Sequence, residues 1–297
     1  MGNYFSFFSQ AYSPKPQWGV DNIPDLSGKV TIVTGRKFGL WKRDREERRA
    51  GTGCYQPVEG GDRPGGFFLL LDLADLKSVR RSAEELLFKE KKLHILFNNA
   101  GVMSCPVDLV TEQGYDMQFG CNVIGHFLFT QLLLPVLQSS GTPSDKARVV
   151  TTSSAASYLT NNLNFDAFVD GDVRRRHSTT ALYAMSKFGN VVVSRELAQR
   201  HGDTVVSTSD NPGNIITPLY RHVSRIQFAV VTFIFNLKPE PFGALTQLYA
   251  GTAPETSDAN GKFFIPWARE GRPNPATQDV ALGEKLWTWL DNECNKY

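Results

Sequence analysis

The sequence has few cysteines, four in 297 residues, and their spacing excludes two classes of site. Neither a C-x-x-C pair nor a Cys/His pattern with metal-ligand spacing occurs, which argues against structural zinc. The wide separation also argues against a disulfide framework and favours a reducing compartment. The four lie at Cys54, Cys105, Cys121 and Cys294. We therefore expect no metal ion and a cytoplasmic location.

The sequence also lacks an excess of charge of one sign and a long hydrophobic run. Its formal net charge is +2 at pH 7, and basic residues are interleaved with acidic ones. Without a broad basic surface, we expect no nucleic-acid partner. The apolar stretch 228–235 is much shorter than the roughly 20 residues that a membrane-spanning helix needs. We expect it to line or cover a pocket of a globular protein.

The N-terminus carries one signal for a membrane. Residues 1–6 match the short acylation pattern M-G-x-x-x-[ST], with Gly2 as the acceptor, and three nearby phenylalanines add apolar character. A single acyl chain anchors a protein only weakly, so the pattern predicts no more than peripheral membrane contact through an N-terminal arm, 1–27. The other interpretation, which stays open, is an aromatic arm that packs on the domain.

Short apolar segments alternate with helical patterns from residue 28 to the C-terminus. The strand patterns cover residues 29–34, 67–73, 93–100, 147–154, 205–209 and 262–267, and the helical patterns cover 75–91, 111–139, 180–201 and 278–295. This alternation predicts a parallel sheet that helices cover on both faces. We predict one α/β domain, 28–297, with a doubly wound, Rossmann-like sheet and with residues 213–260 as a substrate cap over its carboxyl edge.

The most informative pair is Tyr183 and Lys187, four residues apart within a predicted helix. Side chains at i and i+4 share one helix face. A tyrosine titrates near about 10 in water, and an adjacent ammonium favours the phenolate, which brings the phenol towards the range for proton transfer near neutral pH. A Tyr-x-x-x-Lys match also arises by chance, so its meaning depends on the signals around it.

Four further segments lie in an order and spacing that resembles the short-chain dehydrogenase/reductase superfamily. They are Asp72, Asn98–Gly101, Ser153–Ser154 and Asn211–Gly213. The resemblance extends from just after the turn of the first strand to the C-terminus. The most similar branch contains the retinol dehydrogenases and their fungal relatives, and its marks are Asn98–Met103, Phe119–Phe127, Leu163–Asp166 and Asn211–Thr217. It implies an NAD(P)-dependent enzyme that interconverts an alcohol and a ketone or aldehyde.

The resemblance implies roles for four residues. Tyr183 is implied as the general acid/base at the substrate oxygen, and Lys187 as the residue that lowers its pKa and bonds the nicotinamide ribose. Ser154, which we prefer to Ser153, is implied to hydrogen-bond the substrate carbonyl. Asn122 matches the family asparagine that holds a water linking the lysine to solvent. A plain hydrogen bond within the helix is its other interpretation.

The resemblance also implies a dinucleotide cofactor, NADP or NAD, with NADP preferred. The positions that match cofactor-contacting residues are Gly35, Gly39, Asp72, Asn98, Gly101, Tyr183, Lys187, Pro212, Gly213, Ile215 and Thr217. Structural interpretations stay open for some of them. One is that Asn98 only ties adjacent strands together, and another is that residues 212–213 only turn the chain.

The phosphate-binding turn departs from the family pattern. Where the family has Thr-Gly-x-x-x-Gly-x-Gly, residues 34–41 place Trp41 at the third glycine, although these glycines let backbone N–H groups approach pyrophosphate. Residues 36–66 then lack an apolar helix face and a β-branched run. The second βα unit is thus missing, and we predict a sheet that lacks or distorts its second strand. Arg36 and Lys37 offer contacts to a 2′-phosphate, but solvated charges are the simpler interpretation.

Two functional hypotheses follow. The first is an oxidoreductase with a small apolar alcohol or carbonyl substrate, and it leaves open a homodimer that pairs helices 111–139 and 180–201. The second is a catalytically silent protein on the same scaffold, which binds a partner or has no activity, because residues 36–66 derive from altered splicing or a shifted reading frame. A transcript that encodes this stretch in frame, without a longer isoform, would contradict that origin.

Overall fold

The computed structural model describes residue 10 and residues 13–35, 53–55, 68–216 and 237–297. These residues form one eight-stranded sheet with the order β3-β2-β1-β4-β5-β6-β7-β8. The strands are β1 (Thr31–Thr34), β2 (Gly53–Tyr55), β3 (Phe68–Leu69), β4 (Ile95–Asn98), β5 (Ala147–Thr152), β6 (Val205–Asp210), β7 (Phe263–Ile265) and β8 (Arg269–Gly271). The run from β1 through β4, β5 and β6 to β7 is parallel, and β8 is antiparallel to β7. The predicted Rossmann-like sheet is confirmed.

Helices cover both faces of this sheet. They are α1 (Leu76–Lys89), α2 (Met117–Ser140), α3 (Asp172–Arg175), α4 (Thr179–His201), α5 (Glu240–Thr252) and α6 (Val280–Cys294). Successive side chains of a strand point to opposite faces of the sheet, so neighbouring residues of β4 pack against the helices on different faces. Leu96 joins the large core formed with α1, α2, α4 and α6. Its neighbours Ile95 and Phe97 join a smaller cluster with Ala250 of α5.

The second strand is distorted, as the sequence predicts. β2 is antiparallel to β1, with Ile32 opposite Tyr55 and Thr34 opposite Gly53, and β3 is antiparallel to β2. A parallel neighbour needs a crossover connection, usually through a helix, whereas an antiparallel neighbour needs only a return of the chain. The shortened segment after β1 is therefore compatible with a strand in the reversed direction. Trp41, Gly39 and the rest of 36–52 lie outside the described residues.

The helix α2 carries a local irregularity at a predicted site residue. Its residues Gly120–Ile124 form a π turn, which places an extra residue in that turn around Asn122. By length and composition α2 would also suffice to cross a membrane, but 83% of its most apolar window is buried inside the protein. Burial of this extent is typical of a core helix.

Candidate active site

The predicted polar segments meet at one edge of the sheet. Parallel pairing of β4 with β5 and of β5 with β6 brings their carboxyl ends together, with Asn98 beside Thr151 and Thr152 beside Asp210. The loops that follow these strands begin with Asn99, Ser153 and Asn211. Carboxyl ends of parallel strands are where open α/β sheets bind ligands, so the site has the expected position.

The pair Tyr183 and Lys187 lies on α4, which faces this edge. The helix begins after Ser178, whose side chain accepts a hydrogen bond from the Ala181 N–H and so caps the first turn. The Lys187 Nζ lies 5.8 Å from the centroid of the Tyr183 ring. Tyr183 is partly exposed, while Lys187 is 4% exposed. The Tyr183 side chain is thus partly accessible to a ligand, whereas the Lys187 amine one helical turn away is buried.

The Lys187 amine is held at the end of β5. Its Nζ donates a hydrogen bond of 3.0 Å to the Thr152 carbonyl oxygen, which also accepts from Asn190 Nδ2 at 3.0 Å. Burial lowers the pKa of Lys187 to about 8, and the negative charge of Asp210 opposes this shift. The ammonium therefore depends on nearby groups to remain charged above neutral pH.

The two serines after β5 have different partners. Ser153 is buried, and its hydroxyl donates to the Lys187 carbonyl oxygen at 2.6 Å. Ser154 is partly exposed, and its hydroxyl oxygen accepts from the Ala156 N–H at 3.2 Å. The Ser154 hydroxyl hydrogen is thus available to a ligand, which supports the choice of Ser154 over Ser153.

Asn122 is fully buried and joins three segments around the site. Its Oδ1 accepts from the Val102 N–H at 2.8 Å, and its Nδ2 donates to the Val102 carbonyl and to Ser186 Oγ, each at 3.0 Å. These bonds tie the loop after β4 to α2 and α4. The side chain therefore has a structural role beyond a bond within its own helix, and the water proposed for this position stays a prediction.

His126 belongs to the site but was missed by sequence reasoning. Its Nδ1 lies 3.1 Å from the Asn122 carbonyl oxygen, and its Nε2 lies 2.8 Å from Thr34 Oγ1. Thr34 Oγ1 already accepts the N–H groups of Asn99 and Ala100. The Asn122 carbonyl oxygen can only accept, so the neutral ring carries its proton on Nδ1 and its Nε2 accepts from the Thr34 hydroxyl, for which the Phe97 carbonyl oxygen at 3.2 Å is a second acceptor. The i,i+4 spacing from Asn122 was the only signal in the sequence.

The His126 ring remains neutral near physiological pH. It is buried, and this burial lowers its pKa to about 4. As a neutral ring it donates to α2 through one nitrogen and accepts from β1 through the other. It thereby fixes the π turn relative to the end of β1.

Two glycines at the predicted cofactor wall allow the backbone to lie close to polar side chains of the site. Gly35 has φ +150°, and a Cβ there would lie 2.9 Å from Asn99 Nδ2. A Cβ at Gly101 would lie 3.1 Å from Asn122 Oδ1 and 3.5 Å from Lys187 Nζ. Any larger residue would enter the space beside the amine.

Other predicted cofactor residues have clear structural partners. Asp72 Oδ1 accepts from the Ala74 N–H at 2.9 Å. Asn98 is 4% exposed, and its Nδ2 donates to Thr130 Oγ1 on α2 at 2.9 Å, so its side chain is directed into the core and ties β4 to α2. Its buried Oδ1 has no partner in the described part of the chain. A cavity of about 20 Å³ beside it matches the space of one water molecule.

The segment after β6 forms a turn at the same edge. Gly213 has φ +90°, which favours glycine, and its N–H donates to Asn211 Oδ1 at 3.1 Å. Pro212 is partly exposed, whereas Ile215 is buried and bridges to Lys238. Thr217 lies outside the described residues. Gly213 packs against Pro266 and Trp267, and the role of Pro212 and Gly213 at the nicotinamide rim stays a prediction.

Comparisons with known proteins agree with this geometry. The family model described as short chain dehydrogenase matches residues 46–165, which begin after the altered turn. A short-chain dehydrogenase/reductase of Armillaria gallica is 50% identical, with all of both chains covered. That alignment spans 315 positions, so the relative has residues without a counterpart in this chain of 297.

More distant proteins match as well. Human retinol dehydrogenase 14 is 34% identical, and the alignment covers 88% of this chain and 85% of the human protein. A crystal structure of an uncharacterized protein from Mycobacterium paratuberculosis has a TM-score of 0.56 and 29% identity, and it covers 76% of this chain and 74% of its own. The sequence relative and the structural match thus both agree with the geometry of the site and the sheet.

Proposed function

This chain belongs to the short-chain dehydrogenase/reductase family, and from that premise we propose that it interconverts an alcohol and a ketone or aldehyde on an apolar substrate, with Ser154, Tyr183 and Lys187 as its catalytic residues. It is an NAD(P)-dependent oxidoreductase of the retinol-dehydrogenase-like type. The observation that carries the proposal is the Lys187 Nζ at 5.8 Å from the Tyr183 ring, beside the partly exposed Ser154.

The described residues fit a nicotinamide dinucleotide. Gly35 and Gly101 let the backbone lie close to Asn99, Asn122 and the buried Lys187 amine, as a Cβ there would come within 2.9 to 3.5 Å of these side chains, and this close approach supports the fit. We assign Lys187 and Tyr183 to the nicotinamide ribose, with Gly35, Asp72, Gly101, Pro212, Gly213 and Ile215 along the rest of the cofactor. When bound, the cofactor supplies or accepts the hydride. NADP stays the preferred form; Arg36 and Lys37, which offer contacts to a 2′-phosphate, lie outside the described residues.

The protein residues manage the proton and the developing charge. The Tyr183 hydroxyl gives its proton to the substrate oxygen during reduction and takes it back during oxidation. The Lys187 ammonium, one helical turn away, favours the phenolate by its positive charge. The Ser154 hydroxyl donates a hydrogen bond to the substrate oxygen as negative charge grows there. The same three groups serve both directions of the reaction.

An apolar substrate is supported by the surroundings of the edge. Leu159, five residues after Ser154, is 60% exposed, and Ile216, three residues after Gly213, is 40% exposed. Both follow predicted site residues closely along the chain, and exposed apolar side chains near a ligand site favour contact with an apolar ligand. The name of the human relative, retinol dehydrogenase, also refers to an apolar alcohol. The predicted cap residues 228–235 lie outside the described ranges.

Location and assembly stay proposals. We place the protein in the cytoplasm, with weak membrane contact through the arm 1–27, of which the structure describes residue 10 and residues 13–27. A homodimer through α2 and α4 is a further proposal. Within one chain α6 already packs against α4, so such a dimer would use the faces that α6 leaves uncovered.

Two measurements test the proposed function. Addition of NADPH or NADH to the purified protein should quench tryptophan fluorescence in a saturable way. Tyr183→Phe should then lower turnover about 10²-fold or more while cofactor affinity stays nearly unchanged, because the hydroxyl is the proton-transfer group but only one of several groups assigned to the cofactor. Tyr249→Phe, which removes a hydroxyl from α5, is the matched control.

The two measurements separate loss of the role assigned to Tyr183 from loss of the cofactor site. Most of the activity retained in Tyr183→Phe would remove the role assigned to this phenol. No fluorescence response to either cofactor would instead favour the catalytically silent protein, since the cofactor site itself would then be defective.

A further inference from the structure

Asp210 is a carboxylic acid that is completely buried at the end of β6. Its Oδ1 accepts a hydrogen bond of 3.2 Å from Thr152 Oγ1, and its buried Oδ2 has no partner within the described ranges. A buried carboxylate without full compensation is costly, and single acidic groups of this kind are rare unless they are paired. This cost indicates that the Asp210 side chain has a role in the adjacent site.

Thr152 connects Asp210 to the active-site amine. The two residues are direct neighbours in the parallel register of β5 and β6. The Thr152 hydroxyl binds Asp210, while the Thr152 carbonyl oxygen accepts from Lys187 Nζ at 3.0 Å. The Asp210 carboxylate thus contacts the side chain of Thr152, and the Lys187 ammonium contacts the backbone carbonyl of the same residue.

No other charged group among the described residues opposes or supplements this pair. The elements packed around Asp210 contribute Thr152 from β5, Phe264 from β7 and Lys187 from α4. From α5 comes Gln247, whose Oε1 lies 3.4 Å from Thr152 Oγ1. Lys187 is the charge that acts on Asp210, and Asp210 is the charge that acts on Lys187. The two opposite charges are both buried at the same strand end and act on each other electrostatically through Thr152, to which both are hydrogen-bonded.

We propose that Asp210 is a positioning residue that supplies the counter-charge for the Lys187 ammonium and thereby sets the upper pH limit of proton transfer by Tyr183. The proposal rests on the proposed function of Tyr183 and Lys187. It adds a residue that touches neither substrate nor cofactor and acts through the lysine.

The direction of the effect follows from the charges. Burial lowers the pKa of Lys187 to about 8, and the Asp210 carboxylate limits this decrease. Burial raises the pKa of Asp210 to about 7, and Lys187 and the Thr152 hydrogen bond oppose that shift. Loss of the carboxylate would lower the pKa of Lys187 further, because the ammonium would lose the buried negative charge that opposes the effect of burial. The phenolate would then lose its neighbouring cation at a lower pH.

The first test is the pH dependence of kcat/KM for alcohol oxidation in Asp210→Asn. This variant keeps the shape of the side chain and removes its charge. We expect the alkaline limb of the profile to move about one unit to lower pH. The matched control is Thr208→Val on the same strand and face, because Thr208 Oγ1 is also buried without a partner in the described part of the chain. It should leave the limb in place.

A second variant covers the case in which Asp210→Asn does not fold. Thr152→Val removes the hydroxyl that binds Asp210 but keeps the backbone carbonyl that binds Lys187. The Asp210 pKa should rise further without this bond, so fewer molecules carry the carboxylate, and the alkaline limb should move in the same direction by a smaller amount.

The second readout does not require turnover. The ionisation of Lys187 can be followed by NMR of isotope-labelled lysine, with its signal assigned through Lys187→Arg. We expect Lys187 to titrate at lower pH in Asp210→Asn than in the parent protein. An unchanged titration would overturn the proposal, as would a variant that only lowers kcat without moving the alkaline limb. If the parent protein itself showed no turnover, the proposed function would fail while this titration still tested the pair.

Discussion

The two halves of the sheet are built differently. In the reaction half, formed by β4, β5, β6 and the helix α4, the β5–β6 ladder is parallel and pairs six residues on each strand. In the adenosine half, formed by β1, β2 and β3, the ladders pair three residues and two residues on each strand and are antiparallel. The groups assigned to proton transfer are thus held by a long, regular ladder, whereas the surface next to the predicted adenosine site is short and irregular.

The altered segment lies at one side of the sheet, away from the residues assigned to proton transfer. Tyr183, Lys187 and Ser154 depend on strand ends that lie beyond the altered segment, so the chemistry is separated in space from the distorted strand. Cofactor binding depends on both halves, because the dinucleotide spans them. We therefore expect intact proton transfer together with weakened binding of the adenosine part.

The largest effect on activity should come from a substitution in the reaction half of the sheet. Lys187→Met should lower kcat by about 10²-fold or more, because the phenolate loses its neighbouring charge and the amine that faces the cofactor. Steady-state kinetics at saturating cofactor measures this change. Lys262→Met, which removes a surface partner of Glu270 on β8, is the control and should retain activity. Equal losses in both variants would contradict the special role of Lys187.

His126 ties α2 to the end of β1, and its presence should couple stability to pH, so that its removal weakens this coupling. Its folded pKa of about 4 lies below the unfolded value of about 6.5, so its contribution to stability is present above about 6.5 and is lost as the pH falls towards 4. The difference corresponds to about 3 kcal/mol. Urea unfolding at several pH values should show this slope in the parent protein and a flatter one in His126→Asn. The same slope in both proteins would contradict the neutral, buried ring.

A smaller effect should follow from filling the cofactor wall. Gly101→Ala would place a Cβ 3.1 Å from Asn122 Oδ1, so Asn122 or Lys187 must shift by a few tenths of an ångström. Overpacking of this kind costs about 1–3 kcal/mol, and we expect cofactor affinity to fall about tenfold. Gly19→Ala is the control, since nothing lies within 4 Å of a Cβ there. A fluorescence titration with NADPH compares the two variants.

The smallest effect is expected when the adenosine part is removed from the cofactor. If the adenosine half binds weakly, reduced nicotinamide mononucleotide should bind less than about tenfold more weakly than NADPH. Calorimetric titration of both ligands measures the ratio. A much larger loss would show that the altered segment still holds the adenosine, and the contrast between the halves would then be wrong for binding.

Much of the fold was predictable from local patterns. The predicted helix 180–201 agrees with α4 to within one residue, and the predicted strand 147–154 contains β5. The helix predicted from residue 111 begins only at Met117, because Asp116 caps it by accepting the N–H groups of Gln118 and Phe119. The strand predicted at 67–73 is only Phe68–Leu69, since its partner β2 is short.

The local spacing of apolar and polar residues was sufficient to identify the parallel core, the Tyr183 and Lys187 pair and the family, because these signals lie within single helices, strands and loops. Four other features follow from contacts between residues that are distant along the chain. They are the reversed direction of β2, the inward side chain of Asn98, the neutral ring of His126 and the burial of Asp210 close to Lys187. Charge and hydrogen bonding in a buried site depend on which segments surround a group, and no short stretch of sequence contains that information.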